Sequence, residues 1–228
     1  MTSSAAVNAA PTDDPLDLEG TRRVVVLGLG NVLWADEGFG VRCLEALQAR
    51  CEFDDDVRLV DGGTQGLYLL PHVHAARRLL IFDAVDYGLA PGTLKVVEDD
   101  DVPRFLGAKK MSLHQTGFQE VLSLAQLTGS FPESVLLIGC QPEELADYGG
   151  SLREVVKAAI EPALALALQR LREWGVQPRA RQAVPPADDR VVVPGLELDA
   201  YESGRPPAEQ ACRIGDPRLL GTLARTGG

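Results

Sequence analysis

Acidic side chains follow the apolar, strand-like segments of this sequence at several points. Asp36 and Glu37 come shortly after RRVVVLGLGN, and Asp61 follows VRLV. Asp83 directly follows RRLLIF, and Asp86 comes three residues later. In an open α/β sheet, ligands bind outside the carboxyl ends of the strands. Carboxylates that meet in one crevice repel each other unless a cation or a proton lies among them. The pattern therefore predicts a cation site, the alternative being that each carboxylate is a solvated loop residue or complements a helix N-terminus.

Histidine is scarce, and one of the three histidines lies where it could complete such a site. Ser112 and Gln115 form a predicted capping box, which puts His114 in the first turn of a helix. A helix N-terminus disfavours the imidazolium, so the neutral ring that binds metals is available. One carboxylate from each of two strand ends plus this imidazole suits a borderline divalent cation that keeps exchangeable positions. His72 and His74 lie in an apolar helical segment and are predicted to be structural.

The segments that must position these groups alternate between strand-like and helix-like from Arg23 to Trp174. This alternation predicts a single three-layer α/β domain over residues 21–175, with a twisted, mostly parallel five-stranded sheet and helices on both faces. A mixed sheet is the alternative, because TLKVVE alternates and could be an edge strand. Ser151 and Glu154 predict a capping box at the start of a long final helix.

The two ends of the chain differ in composition from this domain. Residues 1–20 contain no Lys or Arg and no apolar signal-peptide core, which predicts a disordered acidic leader and a cytoplasmic protein. Residues 176–228 hold seven of the 15 prolines and predict a mobile proline-rich tail, with docking as the alternative and a short strand at 191–193. The net charge of -11 argues against nucleic acid or an anionic membrane as partner.

Other kinds of catalytic or nucleotide site are disfavoured. The chain has no Gly-x-Ser-x-Gly elbow, and its cysteines, which show no paired short spacing, are expected to be reduced, buried thiols. The cysteines are Cys43, Cys51, Cys140 and Cys212. Gly28 and Gly30 stand where a dinucleotide-binding turn would lie, but Leu33 replaces the third glycine and the acidic loop would repel a pyrophosphate.

Six segments occur in an order that matches a known family: VLGLGNVLWADEGFGVR, DGGTQG, IFDAVD, APGTLKV, SLHQTGFQEVL and IEPALA. Through them the chain resembles, over residues 24–174, the nickel–iron (NiFe) hydrogenase maturation endopeptidases. The resemblance implies a compact α/β fold with a twisted sheet between helices, and an endopeptidase that makes a single cut. This cut removes the C-terminal extension of the nickel-loaded precursor of the hydrogenase large subunit. The expected partner is that precursor, and the protease is expected to be monomeric.

The resemblance also implies roles for individual residues. In the family a glutamate, an aspartate and a histidine bind the metal, and the matching positions here are Glu37, Asp83 and His114. The metal is nickel, which the substrate is expected to supply. Hydrolysis is expected to use a water activated by a carboxylate or by the metal, as in an aspartyl-type protease. A family segment associated with substrate recognition matches Asp61, Gly62, Gly63 and Thr64.

A different function would need the same metal ligands. A nickel-dependent checkpoint chaperone that contacts the maturing hydrogenase without cleaving it would bind nickel through the same three side chains. The sequence leaves this alternative open.

Overall fold

The computed structural model describes residues 22–106 and 113–206. The predicted leader and the last 22 residues of the predicted tail lie outside these ranges. The strands are β1 (Arg22–Leu29), β2 (Cys51–Glu52), β3 (Val57–Gly63), β4 (Ala76–Ala84), β5 (Leu94–Glu98), β6 (Ser134–Cys140) and β7 (Arg179–Ala180). The α-helices are α1 (Phe39–Arg50), α2 (Leu70–Ala75), α3 (Asp101–Leu106), α4 (Leu113–Leu127), α5 (Glu154–Lys157), α6 (Ile160–Glu173) and α7 (Leu198–Gly204).

Five of the strands form one sheet in the order β3–β1–β4–β6–β5. Strand β1 pairs in parallel with β3 and β4, and β4 pairs in parallel with β6. Strand β5 pairs antiparallel with β6 at the edge. The predicted mostly parallel sheet is confirmed, and TLKVVE supplies the edge strand that its alternating pattern suggested.

Side chains of the central strands alternate between two apolar cores. Val24 and Leu80 pack with α1 and α6 on one side of the sheet, which we call the α1/α6 face. Val25 and Leu79 pack with α2 and α4 on the other side, the α2/α4 face. Burial on both faces explains why these strands are continuously apolar in sequence.

The direction of the helices decides which of their ends meet the carboxyl ends of the parallel strands. Helix α1 follows β1, and α4 precedes β6, so each returns along the sheet opposite to the strands. The N-termini of α1 and α4 therefore lie at one edge of the sheet, which we call the carboxyl edge. Among the described residues, no helix has the length and apolarity needed to cross a bilayer.

Two local predictions differ from the structure. The helical region after Ser151 is divided into α5 and α6, and Ser151 does not cap α5; its hydroxyl donates to Glu202 at 2.6 Å instead. No strand forms at 191–193; β7 forms earlier and pairs with β2.

Candidate active site

Glycines press the turn that carries Glu37 against the ends of β1 and β4. A Cβ atom at Gly40, in the first turn of α1, would lie 2.2 Å from the carbonyl oxygen of Phe82 and 2.3 Å from that of Leu29. Gly30 has a φ of +120°, and its Cβ would lie 1.7 Å from the carbonyl oxygen of Glu37. Only glycine permits such close approaches of backbone to backbone. The half-buried Glu37 is thereby held beside the carboxyl end of β4.

Asp83 is fully buried near the end of β4. Alternation with Leu79 and Ile81 places it on the α2/α4 face. Its partner in register on β6 is Gly139, and the Tyr87 hydroxyl covers that glycine, since a Cβ there would lie 1.8 Å from the phenol oxygen. Burial, and next the charge of Asp83, raises the pKa of Tyr87, so the phenol stays neutral. The Asp83 carboxylate therefore lies in a largely dry site beside a neutral polar group.

The start of α4 approaches the loop that follows β3. A Cβ at Gly117, one turn after His114, would lie 3.3 Å from the Cα of Gly66. The loop is joined to the end of β1, because the N–H of Gly30 donates to the carbonyl oxygen of Gly63 at 3.0 Å. The backbone thus brings the second residue of α4 to the edge that carries the two carboxylates. The side chain of His114 lies outside the described part of the structure.

Asp36, next to Glu37 in sequence, has a structural role as a buried hydrogen-bond acceptor. Its side chain is fully buried, and its Oδ2 accepts hydrogen bonds from the N–H groups of Glu143 (2.9 Å) and Glu144 (2.8 Å). Its Oδ1 accepts a third bond, from the N–H of Arg153 at 2.7 Å. Hydrogen bonds to a charged acceptor are stronger than neutral ones. Asp36 therefore anchors the segment after β6 to the turn that carries Glu37.

Asp61 and Asp86 also stabilise loops. Asp61 lies on the α1/α6 face of β3, opposite to Asp83, and its Oδ1 accepts a hydrogen bond from the N–H of Gly63 at 2.9 Å. Burial raises the pKa of Asp61, against the lowering effects of that hydrogen bond and of the Arg42 charge. Asp86 accepts hydrogen bonds from the N–H of Gly88 (2.9 Å) and from the amide of Gln141 (3.0 Å). Both carboxylates are thus engaged by hydrogen bonds, and Asp61 in addition lies on the face of the sheet opposite to Asp83.

Glu37 and Asp83 are the two carboxylates of the predicted metal site, and the backbone places both at the carboxyl edge. Oxygen donors of this kind suit a borderline divalent ion when an imidazole completes the set. Among the described side chains, no three His, Cys, Asp or Glu residues gather around one point to hold an ion. The predicted set includes His114, whose side chain is not described, so the three-residue site stays a prediction.

Sequence comparison identifies the family. Residues 41–170 match the profile of the hydrogenase maturation proteases (HycI). The chain belongs to the hydrogenase maturation protease family. It is 66% identical over 197 residues to the hydrogenase expression/formation protein HoxM of Cupriavidus necator, covering 86% of this chain and 98% of HoxM. It is 44% identical over 163 residues to the hydrogenase 2 maturation protease of Escherichia coli, covering 71% of this chain and 98% of that protease.

Solved structures agree with this assignment. The E. coli hydrogenase maturating endopeptidase HybD superposes with a TM-score of 0.67 at 42% identity, covering 70% of this chain and 98% of HybD. The maturation protease HybD of Thermococcus kodakarensis superposes with a TM-score of 0.54 at 26% identity, covering 65% of this chain and 98% of that chain. The protein is thus an endopeptidase, a hydrolase whose partners are hydrogenase large-subunit precursors. This family disfavours both the non-cleaving chaperone and the dinucleotide-binding alternative.

The cysteines close to the candidate site do not provide a nucleophile for this protease. Cys43 and Cys140 are fully buried on the α1/α6 face. Burial, and next the charge of Asp36, raises the pKa of Cys140 to about 12, and burial also raises the pKa of Cys43. Both thiols are therefore protonated at neutral pH, and the nucleophilic form is the thiolate. Burial raises the pKa of Cys51 as well, while Cys212 lies outside the described residues.

Gln141 organises the loop that follows Asp83, and no sequence motif predicts this role. Its side-chain oxygen accepts hydrogen bonds from the N–H groups of Tyr87 (2.6 Å) and Leu89 (3.1 Å), and the residue is 6% exposed. A single Gln-Pro pair after an apolar strand carries no recognisable motif. Only the register of β4 beside β6 makes this glutamine a neighbour of the Asp83 loop.

Proposed function

We propose that the protease makes one cut that removes the C-terminal extension of its hydrogenase large-subunit precursor after nickel has been inserted. Glu37, Asp83 and His114 complete the coordination of the nickel that the precursor brings. The observation that carries the proposal is the approach of Gly40 to Leu29 and Phe82, which brings the Glu37 turn to the end of β4. These residues would hold the metal only while the precursor is docked, so the nickel is part of the substrate.

Selectivity follows from this arrangement. A precursor without nickel lacks the ion that the carboxylates would bind, and it leaves them facing each other without a cation between them. The nickel-loaded precursor gains metal–ligand bonds instead. The protease then distinguishes the two forms of the precursor by the difference in their binding free energies, more than by the residues around the cleaved bond.

The reacting group is proposed to be a water molecule. With the thiols protonated and no Ser elbow in the sequence, a carboxylate at the carboxyl edge is the available base. Burial of Asp83 removes competing solvent, and a base acts best when it is held within hydrogen-bond reach of the attacking water. We assign this role to Asp83 or Glu37.

The loop after β3 supplies the second part of the binding surface. Its residues Asp61–Thr64 are followed by a short 3-10 helix in which Leu67 is 53% exposed and Tyr68 is 81% exposed. Exposed apolar side chains beside a candidate site are typical of surfaces that contact a partner. We propose that this pair contacts the precursor. We also expect a cytoplasmic monomer, which rests on the sequence alone.

The test uses purified full-length protease with precursor prepared with and without nickel, followed by intact-mass analysis. The wild type should release one C-terminal peptide from the nickel-loaded precursor only. Asp83→Asn should abolish release, because the amide can neither accept a proton nor replace the anionic ligand. The matched control is Asp86→Asn, which keeps the oxygen that accepts the loop hydrogen bonds and should process normally. Equal cutting of nickel-free precursor would refute recognition through nickel.

A further inference from the structure

Residues 176–206 lie along α1 from the end of that helix to its start, and we call them the strap. Near the end of the helix, the N–H of Arg181 donates to the carbonyl oxygen of Arg50 at 2.8 Å. Two residues earlier in α1, the side chain of Gln48 accepts a hydrogen bond from the N–H of Val191 at 2.9 Å. The sequence predicted a mobile tail or a docking segment here; in the structure these residues have specific partners on their own domain.

The strap reaches the first half of α1 through two further anchors. The side chain of Glu45 accepts a hydrogen bond from the N–H of Leu198 at 2.9 Å. The buried Arg42 donates from Nη1 to the carbonyl oxygen of Leu196 at 2.6 Å. Because α1 begins at the carboxyl edge, the strap ends close to the turn that carries Glu37.

Helix α7, at the end of the strap, also contacts the segment that precedes α5. Glu202 accepts hydrogen bonds from the hydroxyl of Ser151 and from the ammonium group of Lys157, both at 2.6 Å. The hydroxyl of Tyr201 donates to the carbonyl oxygen of Gly150 at 3.3 Å. A single carboxylate thus joins α7 to both ends of the short stretch 151–157.

That stretch continues directly from the segment that holds the Glu37 turn. Besides the three backbone bonds to Asp36, the N–H of Gly149 donates to the carbonyl oxygen of Leu33 at 2.8 Å. The rings of Trp34 and Tyr148 pack edge to face with centroids 5.3 Å apart. The contacts therefore close a ring that runs from the turn through residues 143–153, then α7 and α1, and back to the turn.

We propose that α7 braces the Glu37 turn and that Glu202 is a positioning residue for catalysis. The free energy needed to open a loop locally is small unless contacts hold the loop from several sides. A coordinating side chain that is displaced by about 1 Å loses much of its contribution to catalysis. Glu202 touches no reacting atom in this scheme. It acts by fixing residues 143–153, which in turn hold Asp36 and the neighbouring Glu37. This inference rests on the proposed role of Glu37.

The comparisons support an accessory role for the strap. The family profile ends at residue 170, before the strap begins. The E. coli hydrogenase 2 maturation protease matches over 163 residues that make up 98% of its length, whereas HoxM matches over 197 residues that make up 98% of its length. The sheet domain can therefore exist without a strap of this size.

The test compares Glu202→Ala with Glu133→Ala in the full-length protease. Glu133 is a matched control because it pairs with Arg77 at 2.8 Å on the opposite edge of the sheet. Glu202→Ala should lower kcat for the nickel-loaded precursor roughly tenfold with little change in KM, as expected when one charge-assisted contact of a positioning group is lost. Glu202→Gln, which keeps an oxygen acceptor for Ser151, should recover part of this loss.

Amide hydrogen exchange gives a readout that is independent of cleavage. In Glu202→Ala, protection should fall in peptides covering 33–38 and 143–153 and stay unchanged in β4 and β6, whereas Glu133→Ala should leave the first two peptides unchanged. Unaltered exchange in those peptides, or a loss of protection spread evenly over the sheet, would overturn the brace. If the wild type fails to cut the precursor, the proposed function is refuted, and the exchange data still decide whether Glu202 braces the turn.

Discussion

The two sides of the carboxyl edge are built in different ways. On one side, backbone groups hold the Glu37 turn: three N–H groups bind Asp36, and glycines let the turn touch the strand ends. On the other side, the loop after β3 presents Leu67 and Tyr68 to solvent, the latter 81% exposed. The difference indicates a division of labour, with ligands fixed on one side and apolar surface kept for a partner on the other.

This division has a physical reason. Metal coordination requires carboxylates in fixed positions, and backbone hydrogen bonds to a buried anion provide that rigidity. Contact with a large precursor requires area, and burial of exposed apolar side chains stabilises an interface, with tyrosine among the residues that most often carry its binding energy. Changes on the fixed side should therefore affect stability and kcat, and changes on the exposed side should affect KM.

The largest effect is expected on the fixed side. Asp36→Ala removes a fully buried acceptor from three backbone N–H groups and should lower the free energy of unfolding by about 4 kcal/mol. Urea denaturation measures this loss, with Asp100→Ala, at an exposed carboxylate, as the control. A loss equal to that of the control would mean that the Asp36 hydrogen bonds do not hold the turn.

The next effect is expected on the exposed side. The double variant with Leu67→Ser and Tyr68→Ser should raise KM for the nickel-loaded precursor about tenfold, because it removes apolar contact area, with kcat and Tm unchanged. Leu127→Ser is the matched control, since Leu127 is 83% exposed at the end of α4 that lies away from the carboxyl edge. An unchanged KM in the double variant would remove this loop from the precursor interface.

A smaller effect concerns Asp61, where the exposed side meets the sheet. Burial raises the pKa of this carboxyl in the folded state, so the folded protein holds its proton more firmly than the unfolded chain. The associated stability is complete below the ordinary carboxyl pKa and is lost as pH rises through the raised value. Asp61→Asn, which keeps an acceptor for Gly63, should therefore raise Tm by about 2 °C at pH 7 and by nothing at pH 3. Thermal melts at the two pH values check this; a lower Tm at pH 7 would contradict it.

The smallest effect is expected at Cys140, which is buried on the α1/α6 face. With its pKa raised to about 12, the Cys140 thiol is protonated at pH 7.5, and iodoacetamide treatment should leave processing unchanged. Because the pKa of Cys140 is raised in the folded state, the stability associated with this thiol is lost as pH rises from the ordinary thiol range through the raised value. If iodoacetamide inactivated the protease, and if the docked precursor protected the protease from this inactivation, a cysteine would take part in the reaction.

Much of the central sheet could be predicted from the local pattern of apolar and polar residues. VVVL and LLIF are apolar at every position because both sheet faces are covered, and that pattern favours central parallel strands. The alternation in TLKVVE indicated an edge strand, and β5 is one.

The sequence could not separate the roles of neighbouring carboxylates. Asp36 and Glu37 are adjacent and equally acidic, yet one binds backbone N–H groups more than 100 residues away and the other lies half-buried at the edge. Ser151 fits a capping box, but Glu202, 51 residues later, takes its hydroxyl. Such outcomes depend on partners that only the tertiary fold brings within reach.

The nickel environment in the docked complex would show directly whether this edge of the sheet coordinates the substrate's nickel. X-ray absorption at the nickel edge would compare nickel-loaded precursor alone, the same precursor rapidly frozen with wild-type protease, and a sample with Glu37→Gln. We expect the wild type to add oxygen or nitrogen ligands at about 2.0–2.2 Å, as for similar divalent ions, and Glu37→Gln to add fewer. A nickel spectrum that does not change when wild-type protease binds would contradict coordination by this edge of the sheet.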